Sequence, residues 1–406
     1  MSATPPKPIK TAIVLTDNRG GIGAARSLKR RGVPVIAIVW DAGNLLLASN
    51  AARKKIVIPG NSEQSKEANL LDILMSMQED GAVLITSSDR MIAFMARHRA
   101  ALSAKFRFNI PDTDLIDALN DKKRETALIA GLGFPVPETI QELPENPEDL
   151  EALLRFPILF KPASYAAKSL FPAKNAEVSN SSELKRFYAA HAKALPVLLA
   201  QEVIPGPDGY SWVASCTFDS SHDMLDCGIK QKIRMNPPHF GGSTFAISAD
   251  NAEVYELTRQ IGRALGYVGH AGIEFRWDDR DEQYKYIECN PRMPENVEFD
   301  EYCGLPTVWN SYLVALGHEP EDPPRQQRTG VVFLDLRWDP GARLKDGESI
   351  FAILGSYARY SFHRRKGQCF AYDDPMPGFV VAWNMLKVLG MRVIEKIKRV
   401  PARPLP

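Results

Sequence analysis

Residues 272–292 read GIEFRWDDRDEQYKYIECNPR, two apolar runs separated by a charged turn, and this pattern predicts a β-hairpin. Glu288 and Asn290 are two residues apart and therefore project from the same face of the second strand, where Glu274 of the first strand can lie opposite them. Two carboxylates opposite each other repel in a solvent-exposed sheet. Carboxylate and amide oxygens are instead suitable ligands for Mg²⁺, or for Mn²⁺. The stretch therefore has two interpretations, a metal site and a charged surface hairpin.

Arg292 occupies the next alternate position after the proposed ligands. An arginine there can bind a phosphate or a developing oxyanion through two hydrogen bonds. Cys289 lies between two of the proposed ligands and is expected to point the other way, into the core.

Two earlier stretches suggest a nucleotide. Lys161 ends the apolar run 156–160, and lysines are seldom buried without a partner, for which a phosphate is suitable. The apolar run 198–204 contains Glu202 and Val203 and precedes Pro205 and Gly206, which predicts a hinge whose backbone reads an adenine edge.

A third stretch carries three cations at alternate positions, Lys230, Lys232 and Arg234. In a strand all three would share one face and repel each other unless they were solvated or matched by an anion such as triphosphate. Any one of these cations is more often a solvated surface residue, so the interpretation depends on their order along the chain.

These residues together resemble the ATP-grasp enzymes, in the branch of carboxylate–amine ligases that includes D-aspartate ligase and, more distantly, biotin carboxylase. The resemblance covers residues 121–292. The motifs that carry it are Asp121-Lys122 before a helix, Phe156-Pro-x-x-x-Lys161-Pro162, Gln201-Glu202-Val203, Lys232-x-Arg234, and residues 272–275 with 287–292.

The resemblance implies a role for each of these residues. Lys122 and Lys161 would contact the phosphate and adenine sides of ATP, and Arg234 would help to bind the nucleotide. Glu202 and the Val203 backbone would contact the adenine edge. Lys232 would contact the transferred phosphate and Arg292 would steady an acyl phosphate, so these two are the candidate catalytic residues. Glu274, Glu288 and Asn290 would bind Mg²⁺. Where relatives carry a glycine-rich flap, residues 164–169 read SYAAKS, which leaves Lys168 as a further phosphate contact.

The activity that the resemblance implies is ATP-dependent ligation. A small-molecule carboxylate would attack the γ-phosphate to give an acyl phosphate and ADP, and an amine, such as an amino acid, would then displace phosphate to form an amide. Such chemistry mainly requires cations aimed at the charge that moves.

Alternating strands and helices in the first third predict an open parallel sheet covered on both faces. The predictions include one helix over 90–103 and a strand over 106–109. The fold class expected is α/β plus α+β. It comprises a Rossmann-like pre-ATP-grasp domain (1–118), two ATP-grasp lobes (119–203 and 204–322, the second with the metal site) and a small C-terminal extension (323–406). The Pro- and charge-rich stretch 319–328 predicts the last boundary.

Composition narrows the function classes. The chain has 406 residues, with 50 Lys+Arg against 49 Asp+Glu, so it has no global basic excess for binding nucleic acid. Its five cysteines are scattered without a C-x-x-C pair, which argues against a zinc knuckle or a disulfide framework. No secretory signal or membrane-length apolar run is found, so a cytoplasmic enzyme is expected.

Two segments each allow more than one functional interpretation. The turn Gly20-Gly21-Ile22-Gly23 loosely matches a dinucleotide fingerprint, which a nicotinamide-dependent oxidoreductase would require; a tight turn that helps to bind a carboxylate is the other interpretation. Residues 379–400 predict a basic amphipathic helix that contacts an anionic membrane, its own domain or a second copy in a homodimer. A catalytically silent nucleotide-binding relative is a third function class.

Overall fold

The computed structural model of the protein describes residues 9–398 except 164–165, 174, 240, 321–325, 361–363 and 368, and it does not describe the side chains of residues 166, 168 and 388–398. The N-terminal elements are β1 (Ala12–Thr16), α1 (Gly20–Arg30), β2 (Val35–Val39), β3 (Lys54–Val57), α2 (Glu63–Ser76), β4 (Val83–Thr86), α3 (Asp89–Arg97), α4 (Arg99–Ser103) and α5 (Thr113–Asn120). They are followed by α6 (Lys122–Gly131), β5 (Thr139–Ile140), α7 (Pro147–Leu153), β6 (Ile158–Pro162), β7 (Ala176–Val178), α8 (Ser181–His191) and β8 (Leu198–Glu202).

The second half of the chain contains a longer run of strands. Its elements are β9 (Ser211–Phe218), β10 (Met224–Asn236), β11 (Gly242–Ser248), α9 (Ala252–Ala264), β12 (Gly269–Asp278), β13 (Gln283–Asn290), α10 (Val297–Tyr302) and α11 (Thr307–Ala315). The last elements are β14 (Val332–Leu334), α12 (Asp339–Lys345), α13 (Ile350–Tyr360), β15 (Arg365–Gly367) and α14 (Met376–Lys398).

The N-terminal elements form a parallel four-stranded sheet in the order β3-β2-β1-β4. The strands β1, β2 and β4 are fully buried because apolar clusters cover both faces of the sheet. One of these clusters also contains Val297 and Tyr312 from α10 and α11, so this sheet and the later half of the chain share a core.

Two predicted elements in this region differ from the observed ones. The predicted helix over 90–103 is two helices, because the backbone leaves helical geometry at His98 (φ −104°, ψ 19°). The predicted strand over 106–109 is only a single bridge between Arg107 and Val83, held by hydrogen bonds on either side of it.

The middle region forms an antiparallel four-stranded sheet in the order β5-β8-β6-β7, backed by α7 and α8. The later region forms a seven-stranded sheet in the order β13-β12-β9-β10-β11-β14-β15. The predicted hairpin is its edge pair, β12 and β13. Strands β14 and β15 extend the other edge, so the C-terminal residues complete this sheet rather than forming a separate one.

The C-terminal segment is also attached to helix α1. Arg26, which is 1% exposed, donates hydrogen bonds to the carboxylates of Asp374 and Glu298 and to the Cys369 carbonyl. Within the described part of the chain, no helix is both long and apolar enough to span a bilayer.

Candidate active site

A cavity of about 1590 Å³ lies where the three sheets meet. Its wall includes residues from the loop before α1, from β6 and β8, from the β12–β13 hairpin and from the segment after β14. Nine of the eleven predicted site residues line it: Lys122, Lys161, Glu202, Val203, Lys232, Glu274, Glu288, Asn290 and Arg292. Arg234 is not among the lining residues, and the side chain of Lys168 lies outside the described part of the chain.

The hairpin presents the three predicted metal ligands on one face. Glu274 pairs directly with Glu288 across β12 and β13, and Asn290 pairs with Gly272. The register shifts just after Glu274, so a bulge follows the two carboxylates. Cys289, between two of the proposed ligands, is buried in the apolar cluster on the other face, as predicted.

Each of the two facing carboxylates is bound to a lysine. The Nζ of Lys232 lies 2.7 Å from Oε2 of Glu274, and the Nζ of Lys122 lies 3.1 Å from Oε2 of Glu288. Burial by itself would lower the pKa of Lys122, but the neighbouring carboxylates outweigh it and raise that pKa above its ordinary value. The lysines thus balance two negative charges that would otherwise repel each other.

A buried carboxylate behind the hairpin, Glu125 on α6, was not anticipated from the sequence. Its Oε2 accepts a hydrogen bond from Lys122 (3.0 Å), and its Oε1 accepts one from the backbone amide of Cys289 (2.6 Å) and one from the Tyr286 hydroxyl (2.6 Å). Burial raises the pKa of Glu125 despite these favourable contacts. Glu125 therefore positions both Lys122 and the backbone between Glu288 and Asn290.

Arg292 joins the hairpin to the N-terminal sheet. Its guanidinium binds both oxygens of Asp89 on α3, at 2.5 and 2.9 Å, and donates to Oδ1 of Asn290 at 3.2 Å. Burial opposes the charged form of Arg292, but Asp89 outweighs it and raises the pKa of the arginine. The residue lines the cavity while bound to Asp89, so an anionic substrate would have to share or replace that partner.

Lys161 on β6, in the sheet of β5–β8, lines the same cavity. Its Nζ donates to Oε1 of Gln201 on the neighbouring strand β8 (2.7 Å), and Gln201 donates in turn to Thr139 (2.8 Å). These contacts keep the ammonium group at the cavity wall.

The predicted hinge is fixed from both sides. The carboxylate of Glu202 accepts hydrogen bonds from the Arg155 amide (3.0 Å) and from Arg280 in the β12–β13 turn (2.9 Å), so it connects the four-stranded antiparallel sheet to the seven-stranded one. The amide of Val203 donates to the Pro157 carbonyl (3.0 Å), which leaves the Val203 carbonyl as the group through which this residue would contact a base.

The expectation that Lys230, Lys232 and Arg234 share one face is wrong. The register of β10 shifts between Lys232 and Arg234, so Lys232 pairs with Ala246 while Arg234 pairs with its neighbour Phe245 on the opposite face. Arg234 there binds both oxygens of Asp339 at 2.8 and 2.9 Å. The alternation of side chains along the sequence does not reveal a one-residue bulge, so this shift could not be predicted.

The glycine-rich turn at the start of α1 is packed against protein. A Cβ at Gly20 would lie 2.7 Å from Ser87 and 2.9 Å from the Glu295 backbone, and one at Gly21 would lie 2.4 Å from Thr16. Glycine is therefore required by close packing at this turn, which favours the tight-turn interpretation over dinucleotide binding.

A second group of charges, which the sequence reasoning did not predict as a site, also lines the cavity. Arg19 forms salt bridges with Glu295 and Asp335, so three separate segments meet here. Nearby Arg337 lies 4.7 Å over the Trp338 ring, and its buried Nε has no hydrogen-bond partner. Burial, and secondarily Arg19, lowers the pKa of Arg337. In the sequence, the only sign of this arginine was the string RWD at residues 337–339, after a short apolar run.

Comparison with known proteins yields curated relatives and solved structures, although no family model matches the chain. The D-aspartate ligase of Enterococcus faecium (strain Aus0004) is 25% identical over 237 residues, which are 55% of this chain and 56% of that protein. The chain thus spans about half the length of this curated relative.

Two solved structures share the fold. N5-carboxyaminoimidazole synthetase from Staphylococcus aureus, complexed with ADP, has a TM-score of 0.63 at 14% identity and covers 83% of this chain and 85% of its own. The second is the biotin carboxylase domain of the Hydrogenobacter thermophilus 2-oxoglutarate carboxylase, in complex with MgADP, ADP and bicarbonate. It has a TM-score of 0.62 at 16% identity, and the match covers 80% of this chain and 74% of that one. The fold is therefore the mixed α/β fold of ATP-grasp proteins. The resemblance to ATP-grasp carboxylate–amine ligases is confirmed.

Proposed function

We propose that the chain is an ATP-dependent, ADP-forming ligase that joins a small-molecule carboxylate to an amine. The observation that carries this proposal is the convergence of Glu274, Glu288 and Asn290 with Lys122 and Lys232 at one wall of the cavity. Oxygen ligands with interleaved ammonium groups are suited to a metal-bound nucleotide triphosphate.

The donor set fits Mg²⁺, with Mn²⁺ as the alternative, because it offers two facing carboxylates and an amide. Among the described residues no group of three or more His, Cys, Asp or Glu is placed to hold a metal, and the proposed set has only two members of those types. When bound by these residues, the cation would neutralise charge on the transferred phosphate.

The reaction we propose has two steps. An oxygen of the substrate carboxylate attacks the γ-phosphorus of ATP, the bond to the β-phosphate oxygen breaks, and ADP leaves. The amine then attacks the acyl carbon, phosphate leaves, and the amine nitrogen loses a proton. Lys161 and Lys122 bind the nucleotide side, Lys232 the transferred phosphate, and Arg292 the acyl phosphate. Glu202, Val203 and Lys168 remain predicted nucleotide contacts, whereas Arg234 is no longer one because it lies outside the cavity.

For the substrate side, we assign Arg337 as the anchor of an anionic group. Its guanidinium lines the cavity and has no hydrogen-bonded carboxylate partner among the described residues. A buried donor without a partner, such as this Nε, is unfavourable, and a substrate carboxylate would satisfy it. Such a substrate carries an anionic group in the bound state, as amino acids and dicarboxylates do.

The predicted domains 1–118, 119–203, 204–322 and 323–406 fit this function. The parallel sheet would be the Rossmann-like pre-ATP-grasp domain, and the two later sheets would be the lobes that close over ATP. The expected cytoplasmic location stays a prediction.

The first experiment is an ADP-release assay in Mg²⁺ with a panel of carboxylates and amino acids, each acid compared with its methyl ester. We expect turnover with a free acid and amine together, and Glu288→Gln should abolish it with the fold unchanged by circular dichroism. Glu253→Gln, an exposed glutamate on α9, is the matched control and should retain activity. Full ADP release by Glu288→Gln would refute the metal assignment. A folded chain that binds ATP but never releases ADP would favour the silent relative.

A further inference from the structure

Helix α14 exposes a line of large apolar side chains. Met376, Phe379, Trp383 and Leu386 are 53–61% exposed and recur every three or four residues along the helix. These four residues form the apolar stripe of α14. In a monomer in water such a contiguous apolar surface is unusual and marks an interaction site.

The apolar stripe is distinct from the face by which the helix docks on its own chain. Pro377 on that other face is buried, and Val380, Val381 and Met385 are half-buried, where α14 lies against residues 45–48. Intramolecular docking, one of the predicted alternatives, therefore explains the inner face only.

Aromatic side chains beside the helix widen the exposed surface. The Phe370 ring lies 6.4 Å from that of Phe379 and 5.4 Å from that of Tyr372, which is 95% exposed. Exposed Phe, Trp and Tyr on one surface are characteristic of proteins that bind at the interface between lipid and water.

The charges of the same helix indicate the sign of the partner. From 376 to 398 the sequence has four basic residues and one acidic residue, Lys387, Arg392, Lys396 and Lys398 against Glu395. The Nζ of Lys387 lies 5.5 Å from the Trp383 ring centroid, so a cation lies directly beside the apolar stripe. In the sequence, apolar residues continue at helical spacing at Val393 and Ile397.

We propose that the apolar stripe docks on the surface of an anionic lipid bilayer, with α14 lying in the plane of the interface. Apolar and aromatic side chains enter the headgroup region, and the basic residues are attracted to anionic lipids. A second copy of the chain suits this surface less well, because pairing two such helices would bring like charges together. The proposal does not depend on the ligase function.

The test is sedimentation of the full-length protein with vesicles of phosphatidylcholine, with or without about 30% phosphatidylglycerol. We expect binding to the anionic vesicles only, and a decrease in the bound fraction at about 0.5 M salt because of screening. Trp383→Ser combined with Leu386→Ser should lower the bound fraction by about tenfold. ADP release by this variant should be unchanged.

Leu153→Ser is the control, because Leu153 is 58% exposed on α7 and Leu386 is 61% exposed on α14. It should bind vesicles like the wild type. Equal binding by wild type and the double variant, or no binding to anionic vesicles, would overturn the proposal. So would a dimer in sedimentation velocity without vesicles that the double variant dissociates, because the apolar stripe would then belong to a second copy.

Discussion

At the residue scale, the candidate site is a set of matched charges. Glu274 and Glu288 face each other, and each binds one lysine from another strand or helix. Breaking such a half-buried pair without replacing the partner is unfavourable. A cation and a phosphate that arrive together would satisfy both halves, because the metal takes the carboxylates and the phosphate takes the ammonium groups.

Lys161 provides a test of the nucleotide assignment at this scale. We expect Lys161→Ala to weaken ATP binding by about tenfold or more, because a charge-assisted hydrogen bond to phosphate is lost. Binding of the carboxylate substrate should change by less than about twofold if the lysine contacts only the nucleotide. Isothermal titration calorimetry with each ligand separately measures both effects.

The matched control for this variant is Lys193→Ala, an exposed lysine of the same lobe. It should leave both affinities unchanged. If Lys161→Ala instead weakens both ligands equally, its role is to hold Gln201 and the lobe, and the assignment fails.

At the scale of elements, strand β10 shows how one strand distributes its charges. Lys230 is buried and binds Asp300 on α10, while Lys232 faces the cavity and Arg234 faces the C-terminal extension. The alternation of strand residues correctly predicted a shared face for Lys230 and Lys232. It failed for Arg234, because the bulge before this residue turns its side chain to the other face.

The contact between β10 and α11 carries a pH-dependent prediction. Asp226 on β10 is bound by Asn310 on α11 (2.7 Å), and burial raises the pKa of this carboxyl to about 7. The folded state therefore retains a proton that the unfolded state loses near pH 4, so this group's contribution to stability falls as the pH rises toward 7.

We expect Asp226→Asn to remove this loss of stability with rising pH, because the asparagine does not titrate. Relative to the wild type, the variant should become more stable as the pH rises from about 4 to 7, measured as the free energy of unfolding in urea at each pH. Asp250→Asn, at an exposed aspartate, should show no such trend. A constant difference between Asp226→Asn and wild type across this range would contradict the assignment.

At the scale of the whole molecule, charged links hold the parts around the cavity. Arg280 connects the antiparallel sheet of β5–β8 to the seven-stranded sheet through Glu202, and Arg292 connects the hairpin to α3 through Asp89. Arg26 connects the C-terminal segment to α1. Its two partners belong to distant segments, because Glu298 is on α10 and Asp374 precedes α14.

The Arg26 contact predicts that two arginines one turn apart, Arg26 and Arg30, contribute very differently to the free energy of unfolding. Arg26→Ala should lower the free energy of unfolding by about 3–5 kcal/mol, because it removes the buried cation that pairs with the carboxylates of both Glu298 and Asp374. Arg30→Ala removes an exposed arginine that contacts Glu298 and Asp373, and should lower it by about 1 kcal/mol or less. Urea unfolding of both variants is the measurement, and equal losses would show that Arg26 is not the main link.

Local sequence pattern predicted the site well wherever a strand was regular. Alternation placed Glu274, Glu288 and Asn290 on one face and Cys289 on the other, since neighbouring strand residues must face opposite ways. Arg337 could not be found this way, because it reaches the site from a segment far away in sequence. Glu125 lies only one turn after Lys122, but its contacts with Tyr286 and Cys289 depend on how α6 packs against the hairpin.

The sequence by itself determined the hairpin and its oxygen-rich face, because these follow from periodicity along a single segment. Only the tertiary structure decided which cation meets which carboxylate, that the glycine turn is packed shut, that Arg234 lies outside the cavity, and that one face of α14 stays exposed. The physical reason is that charge pairing and close packing depend on distances between segments that are remote in the chain, and no local repeat encodes those distances.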